Sequence, residues 1–245
     1  MSSSTQTEGR SSEEPPDSRQ HSVERGDELS VEYDRDLLAL LPSLDVIDGL
    51  IDYYFAYCNW IYRHVNQVAF LQNWTKYKTG ASSDRIVLAT ACSVMAVAVH
   101  YLPPRSSLLE GFSESYEELA FRFIDVSRTA LTRRQAESRT YSLDLVELLL
   151  TRCHFLVLCK TDSEEIWSVK GELLAIGTAM GLHRDPGKFK MPRDVAERRR
   201  WAWWHIVLLE RCVIYSMIIH VYVIRPSQMA GLHVRQTSFD RRPPL

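Results

Sequence analysis

His183-Arg184-Asp185 is the triplet in this chain best equipped for chemistry. An Asp behind an Arg can orient a hydroxyl for phosphoryl transfer, and a His with an Asp can move a proton or hold a metal. The companions that phosphoryl transfer needs are missing. No Asp-Phe-Gly metal motif occurs, and Lys190 stands five residues after Asp185, where an Asn is required. Two ligands one residue apart, without a second pair at helical spacing, make a poor metal site. A structural role fits better. Gly181 reads as a helix stop, His183 and Arg184 fall where free helix carbonyls need donors, and Asp185 before Pro186 suits a turn.

Arg198-Arg199-Arg200 could clamp a phosphate or serve as a nuclear import patch, but a run of three is short for either. On a helix the three fan around most of the circumference. With Trp201, Trp203 and Trp204 directly behind, packing on Trp faces or pairing with Glu197 is the better expectation. Nucleophilic catalysis has no support, because Gly-x-Ser-x-Gly, P-loop and dinucleotide strings are absent. The eight His include no His-Glu-x-x-His pair. A non-catalytic protein is expected.

The five Cys (Cys58, Cys92, Cys153, Cys159 and Cys212) contain no Cys-x-x-Cys, and Cys153 and Cys159 lie too far apart for a zinc knuckle. Buried free thiols are expected, with no metal or cofactor in this chain. A net charge of −2 over 245 residues argues against a dominant nucleic-acid surface. Met1 to Gln20 lacks the apolar core of a secretory signal, and Cys212 to Ile224 falls short of the roughly 20 apolar residues a bilayer demands. The expectation is a soluble intracellular protein.

Elements that could position these residues emerge from periodicity. Residues 1–35 are rich in Ser, Glu and Pro and read as a disordered tail; 36–245 form the domain, its first ordered segment near Leu44. Five apolar stripes recur at helical spacing. They are Val46-Leu50-Tyr53-Tyr57-Ile61, a body from Ile86 to Val99 capped by Asp84, Tyr116-Leu119-Phe123-Val126-Ala130, Leu143-Val146-Leu149-Cys153-Val157, and Ile166-Val169-Leu173-Ile176-Met180. The last has a capping-box pattern over Thr161–Glu165 and ends at Gly181. Gly171 and Gly177 inside it suggest a close neighbouring helix. A sixth helix from about Arg193 turns Trp201, Trp204, Leu208, Cys212 and Tyr215 inward. Strand signals are absent, so the fold class is all-α, an irregular multi-helix domain.

Taken together, these fragments resemble the fungal-specific transcription factor domain. The resemblance runs from about Leu44 to Leu245. It rests on Asp52-Tyr53-Tyr54-Phe55, Trp60 to Val65, Val99 to Pro104, Tyr116 to Ala120, Ser142 to Leu150 and above all the Gly181-to-Asp185 block with Arg199-Arg200, Trp203-Trp204 and Arg211. It implies a helical regulatory region, nuclear, acting through protein or effector contacts. The family's DNA reading comes from a six-Cys cluster holding two zinc ions. Gly181, His183, Arg184, Asp185, Arg199, Arg200, Trp203, Trp204 and Arg211 are the family signature, expected to be structural. An effector pocket would be lined by Trp167, Trp201 and Trp204, for which core packing is the stronger expectation.

Two departures stand out. The six-Cys cluster is missing, and Arg225-Pro226-Ser227 comes later than the family's Gly-Arg-Pro turn, after a longer and more apolar Cys212 to Ile224. Truncation near Pro243-Pro244-Leu245 is therefore expected, with apolar faces left exposed. The alternatives are a helical interaction module, or a non-functional fragment, that has lost DNA binding. A homodimer is left open, and an enzyme using His183 and Asp185 is the remote third case.

Overall fold

The computed structural model describes residues 34–159 and 163–219, except for the side chains at 61, 163 and 212–219. Every regular element among them is helical. A helical turn at 34–38 precedes α1 (Leu44–Tyr53), which runs through a π-helical turn (Tyr54–Cys58) into α2 (Asn59–Tyr62). Then come α3 (Gln67–Lys78), α4 (Arg85–Tyr101), α5 (Tyr116–Glu137), α6 (Leu143–Cys159), α7 (Ser163–Ala179) and α8 (Arg193–Ile219), with short 3₁₀ turns at Ser107–Leu109 and Pro186–Lys188.

Everything is built around α4. Its residues from Arg85 to Val99 are all buried, as a helix apolar on every side requires. It packs most extensively on α5, and then on α6 and α1. The Asp84 carboxylate accepts the Ile86 amide at 2.9 Å and so starts the helix where expected. Helix α5 opens with a complete capping box: Ser115 Oγ accepts the Glu118 amide, and the Glu118 carboxylate accepts the Ser115 amide. The expected stripes of α5 and α7 both face the core. On α6, Val157 is exposed although the rest of its stripe is buried or half-buried. The proposed cap of α7 lies at Thr161–Glu165, and residues 161 and 162 are outside the described residues.

Two expectations need correction. The first stripe loses phase, because the π turn inserts extra backbone and rotates every residue after it. Tyr54 and Cys58 face inward, while Tyr57 is 64% exposed. The ordered body also includes residues before Leu44, since Asp34 is buried and its carboxylate takes a 2.7 Å hydrogen bond from Arg85 Nε. Arg85 also pairs with Glu137, and Arg133 grips Asp36 at 2.8 and 2.6 Å. Pairs so far apart in sequence leave no trace in local composition. Residues 1–33 of the expected tail lie outside the described residues, as do 220–245, which include Arg225-Pro226-Ser227.

Of the two glycines in α7, only Gly177 meets a neighbouring helix. A Cβ there would sit 2.8 Å from Ile206 Cδ1 on α8, whereas nothing lies within 4 Å of Gly171. Gly177→Ala therefore gains helix propensity and loses packing, with a net destabilisation of about 1 kcal/mol. Gly171→Ala gains the propensity alone, about 0.5–1 kcal/mol of stabilisation. Urea midpoints of the two variants should move in opposite directions; a shared direction would contradict the packing assignment.

Candidate functional site: the α7–α8 elbow

Most of the signature residues, though not Trp204 or Arg211, converge on the turn between α7 and α8. Gly181 takes φ +66°, the left-handed conformation that ends α7. The Leu182 amide donates to the Gly177 carbonyl (2.8 Å) and the Gly181 amide to the Thr178 carbonyl (2.9 Å), the paired bonds of a Schellman stop. Leu182 is buried beneath it. Asp185 then caps the next 3₁₀ turn, accepting the Gly187 amide at 3.0 Å. That amide, with Arg200 and Lys188 nearby, holds the Asp185 carboxyl below its usual range.

The three Arg of α8 have three separate tasks. Arg199 Nη2 donates to the Met180 carbonyl at 2.7 Å, satisfying one of the free acceptors at the end of α7. Arg200 pairs with Glu197 at 2.7 Å and reaches Asp185 at 3.6 Å, spanning the elbow. Arg198 turns inward, donating to Glu147 at 2.6 Å and pairing with Asp144 on α6. Pairing with acids is thus the observed arrangement for Arg198 and Arg200, with Glu197 the partner of Arg200. His183 meets the edge of Trp203 with ring centroids 5.9 Å apart. His183, Arg184 and Asp185 are all exposed and stand on no shared cavity with a base or nucleophile among the described residues.

Trp201 and Trp204 overturn the expectation of an inward aromatic face. They are 49% and 66% exposed, and Leu208 is exposed beside them. The buried face is carried by Ala202, His205 and Ile206 instead, with Trp203 and Leu209 half-buried. Both faces have helical spacing, and the inner one sets Ile206 and the edge of the Trp203 ring against Gly177 of α7. Trp167 is also exposed, with Lys170 Nζ 4.0 Å over its ring and 3.2 Å from Glu210. Trp167, Trp201 and Trp204 line none of the three principal cavities of the described residues. The large open groove, about 720 Å³, lies along α5 and is lined by Leu37, Leu40, Phe121 and Val126 among others. Arg211 is exposed on the outer face of α8.

Sequence reading missed a buried histidine cluster behind the elbow. His64, just before α3, sits between His154 of α6 and His205 of α8, with centroids 5.2 and 4.9 Å away. Tyr62 stacks on His64, and Trp201 stacks on His205 at 5.3 Å. His205 Nδ1 lies 2.8 Å from the Trp201 carbonyl, while His64 Nδ1 and both nitrogens of His154 have no hydrogen-bond partner. Burial pushes all three imidazoles down, reinforced at His64 by the other two rings and at His154, which falls to about 4, by His100. At His205 burial outweighs the Trp201 and Tyr62 carbonyls, which favour the proton. Among the described residues no group of three His, Cys, Asp or Glu side chains is arranged to hold a metal. The sequence signal for this cluster was no more than three ordinary His in apolar stretches.

The same helical region is matched by a known family. The model of the fungal specific transcription factor domain matches residues 51–229. The chain belongs to that family. It is 32% identical to the aurofusarin cluster transcription factor of Gibberella zeae over 100 residues, 40% of this chain and 14% of that protein. Against the equisetin cluster transcription factor of Fusarium heterosporum it is 24% identical over 71% of this chain and 26% of the relative. A Penicillium oxalicum transcription factor is 25% identical over 74% and 22%. The chain thus spans about a quarter or less of the length of these relatives. No solved structure matches it. The fungal transcription factor domain here has no described helix long and apolar enough to cross a membrane.

Proposed function

We propose that residues 36–245 act as one regulatory unit of a fungal, cluster-specific transcription factor, working in the nucleus through protein contacts. The family match over 51–229 carries this reading. The relatives named as cluster transcription factors support it, as does an elbow whose polar residues are committed to structure rather than to reaction. DNA reading and zinc binding would come from outside this sequence, which holds five Cys and no Cys-x-x-Cys. No residue is assigned to an effector, since Trp167, Trp201 and Trp204 are each exposed.

Tethering residues 36–245 to an unrelated DNA-binding domain tests the proposal. Reporter transcription should change by at least severalfold, in either direction, relative to the DNA-binding domain alone. A folded, nuclear fusion that leaves the reporter unchanged would sink it and leave an interaction module without regulatory output.

A further inference from the structure

The outward face of α8 is both aromatic and cationic. Trp201, Trp204 and Leu208 are exposed on it, and Arg193 and Arg211 share that face at helical spacing from Trp204. The elbow borders it directly: Arg200, one turn before Trp204, reaches Asp185, and its guanidinium lies beside Gly187. Lys188 and the half-exposed Phe189 follow Gly187 directly in the same 3₁₀ turn. Arg198, Arg199 and Arg200 are all engaged, but Arg184, Lys190 and Arg193 form no ion pair among the described residues, and Lys188 feels Asp185 without contacting it. Of the acids near this face, Glu197 and Asp185 are both held by Arg200, and Asp194 is the one left over.

We propose that this face docks an acidic amphipathic helix of a partner protein. Its apolar side chains would cover Trp201, Trp204 and Leu208 while its carboxylates meet Arg184, Lys188 and Arg193. Charge complementarity selects this occupant. A second copy of the chain would bring two like-charged faces together across a two-fold axis, which costs rather than gains energy. A DNA backbone would answer the cations and leave Leu208 and both indoles without apolar cover. An amphipathic acidic helix satisfies both halves, and large aromatics with unpaired cations are the groups that dominate such contacts. The biological meaning rests on the regulatory reading above, but the binding itself does not.

The probe is a fluorescein-labelled synthetic peptide of about 20 residues, with Leu and Phe at i, i+3, i+4 and i+7 and Asp and Glu elsewhere, titrated with the full chain. Anisotropy should show micromolar binding that weakens as salt rises. Trp204→Ser, and separately the pair Lys188→Glu with Arg193→Glu, should each weaken it at least tenfold. Lys76→Glu, an exposed cation on α3, should not. All these side chains are exposed, so melting temperatures should match the parent. Parent-like binding by the elbow variants, equal binding of a Lys-for-Glu peptide, or exclusive binding of a short DNA duplex would overturn the proposal. So would a homodimer in light scattering that Trp204→Ser dissociates. Because no transcription is read, failure here leaves the reporter result standing, and a silent reporter leaves this one standing.

Discussion

Arg198→Ala should cost the domain about 3 kcal/mol or more, the largest loss expected from any single side chain of α8. Arg198 is the member of the arginine run that points into the protein, where it ties α8 to two carboxylates of α6. Glu147 is buried, and its second oxygen accepts the Asn66 amide at 3.0 Å, so the same carboxylate also fixes the start of α3. Burial already pushes the Glu147 carboxyl up against the pull of Arg198 and that amide. Without the guanidinium, the variant holds a buried anion with one remaining partner, and burying an unpaired charge is what makes such losses large. Two companion results separate this from simple loss of packing. Glu147→Gln in the Arg198→Ala background should recover at least about 1 kcal/mol, a non-additivity expected of directly coupled groups. The Arg198→Ala deficit should also shrink as pH falls, since protonation neutralises the orphaned carboxylate. Urea denaturation of the four cycle members measures this; a loss below about 1 kcal/mol in the single variant would reject the assignment.

Acid should weaken the fold well before its carboxylates titrate. In the unfolded chain a His takes up a proton near pH ~6.5. In the folded chain His64, His154 and His205 are all held lower, His154 at about 4. Between those values the unfolded state binds protons that the folded state refuses. The stabilisation is therefore complete above about pH 6.5 and is lost as pH falls toward 4. For His154 alone this amounts to about 2 kcal/mol between pH 7 and pH 5, and the other two rings act in the same direction. His154→Leu surrenders no hydrogen bond, because neither ring nitrogen has a partner. It should leave stability at pH 7 within about 1 kcal/mol of the parent and flatten the decline toward pH 5. Quenching of Trp201, which stacks on His205, offers an optical reading of the same event. A urea midpoint unchanged between pH 7 and 5 would contradict the cluster's role.

Sequence alone revealed those features that adjacent residues decide. Asp84 announced its helix because a cap acts on an amide two residues away. Gly181 announced the stop because the left-handed turn must be made there, and Gly177 announced a close neighbour. The outward turn of Trp201 and Trp204 could not be read, since Trp201-Trp204-Leu208 and Ala202-Ile206-Leu209 are equally periodic. Packing against α6 and α7, not the period, decides between them. The π turn shifted the first stripe by an amount that no hydropathy pattern encodes. His64, His154 and His205 are brought together from three elements, and Arg198 finds Glu147 across 51 residues. Of the candidate site, then, the elbow was legible and the groups behind it were not.

The Asp34–Arg85 bond also holds one corner of the fold. Both side chains are withdrawn from water, so ordinary salt screens their attraction weakly. Glu137 and the Arg133–Asp36 fork reinforce it from α5. The described helical body is therefore clamped at this corner, beside the first residue of its central helix. The first anchor of that body is thus Asp34 rather than Leu44.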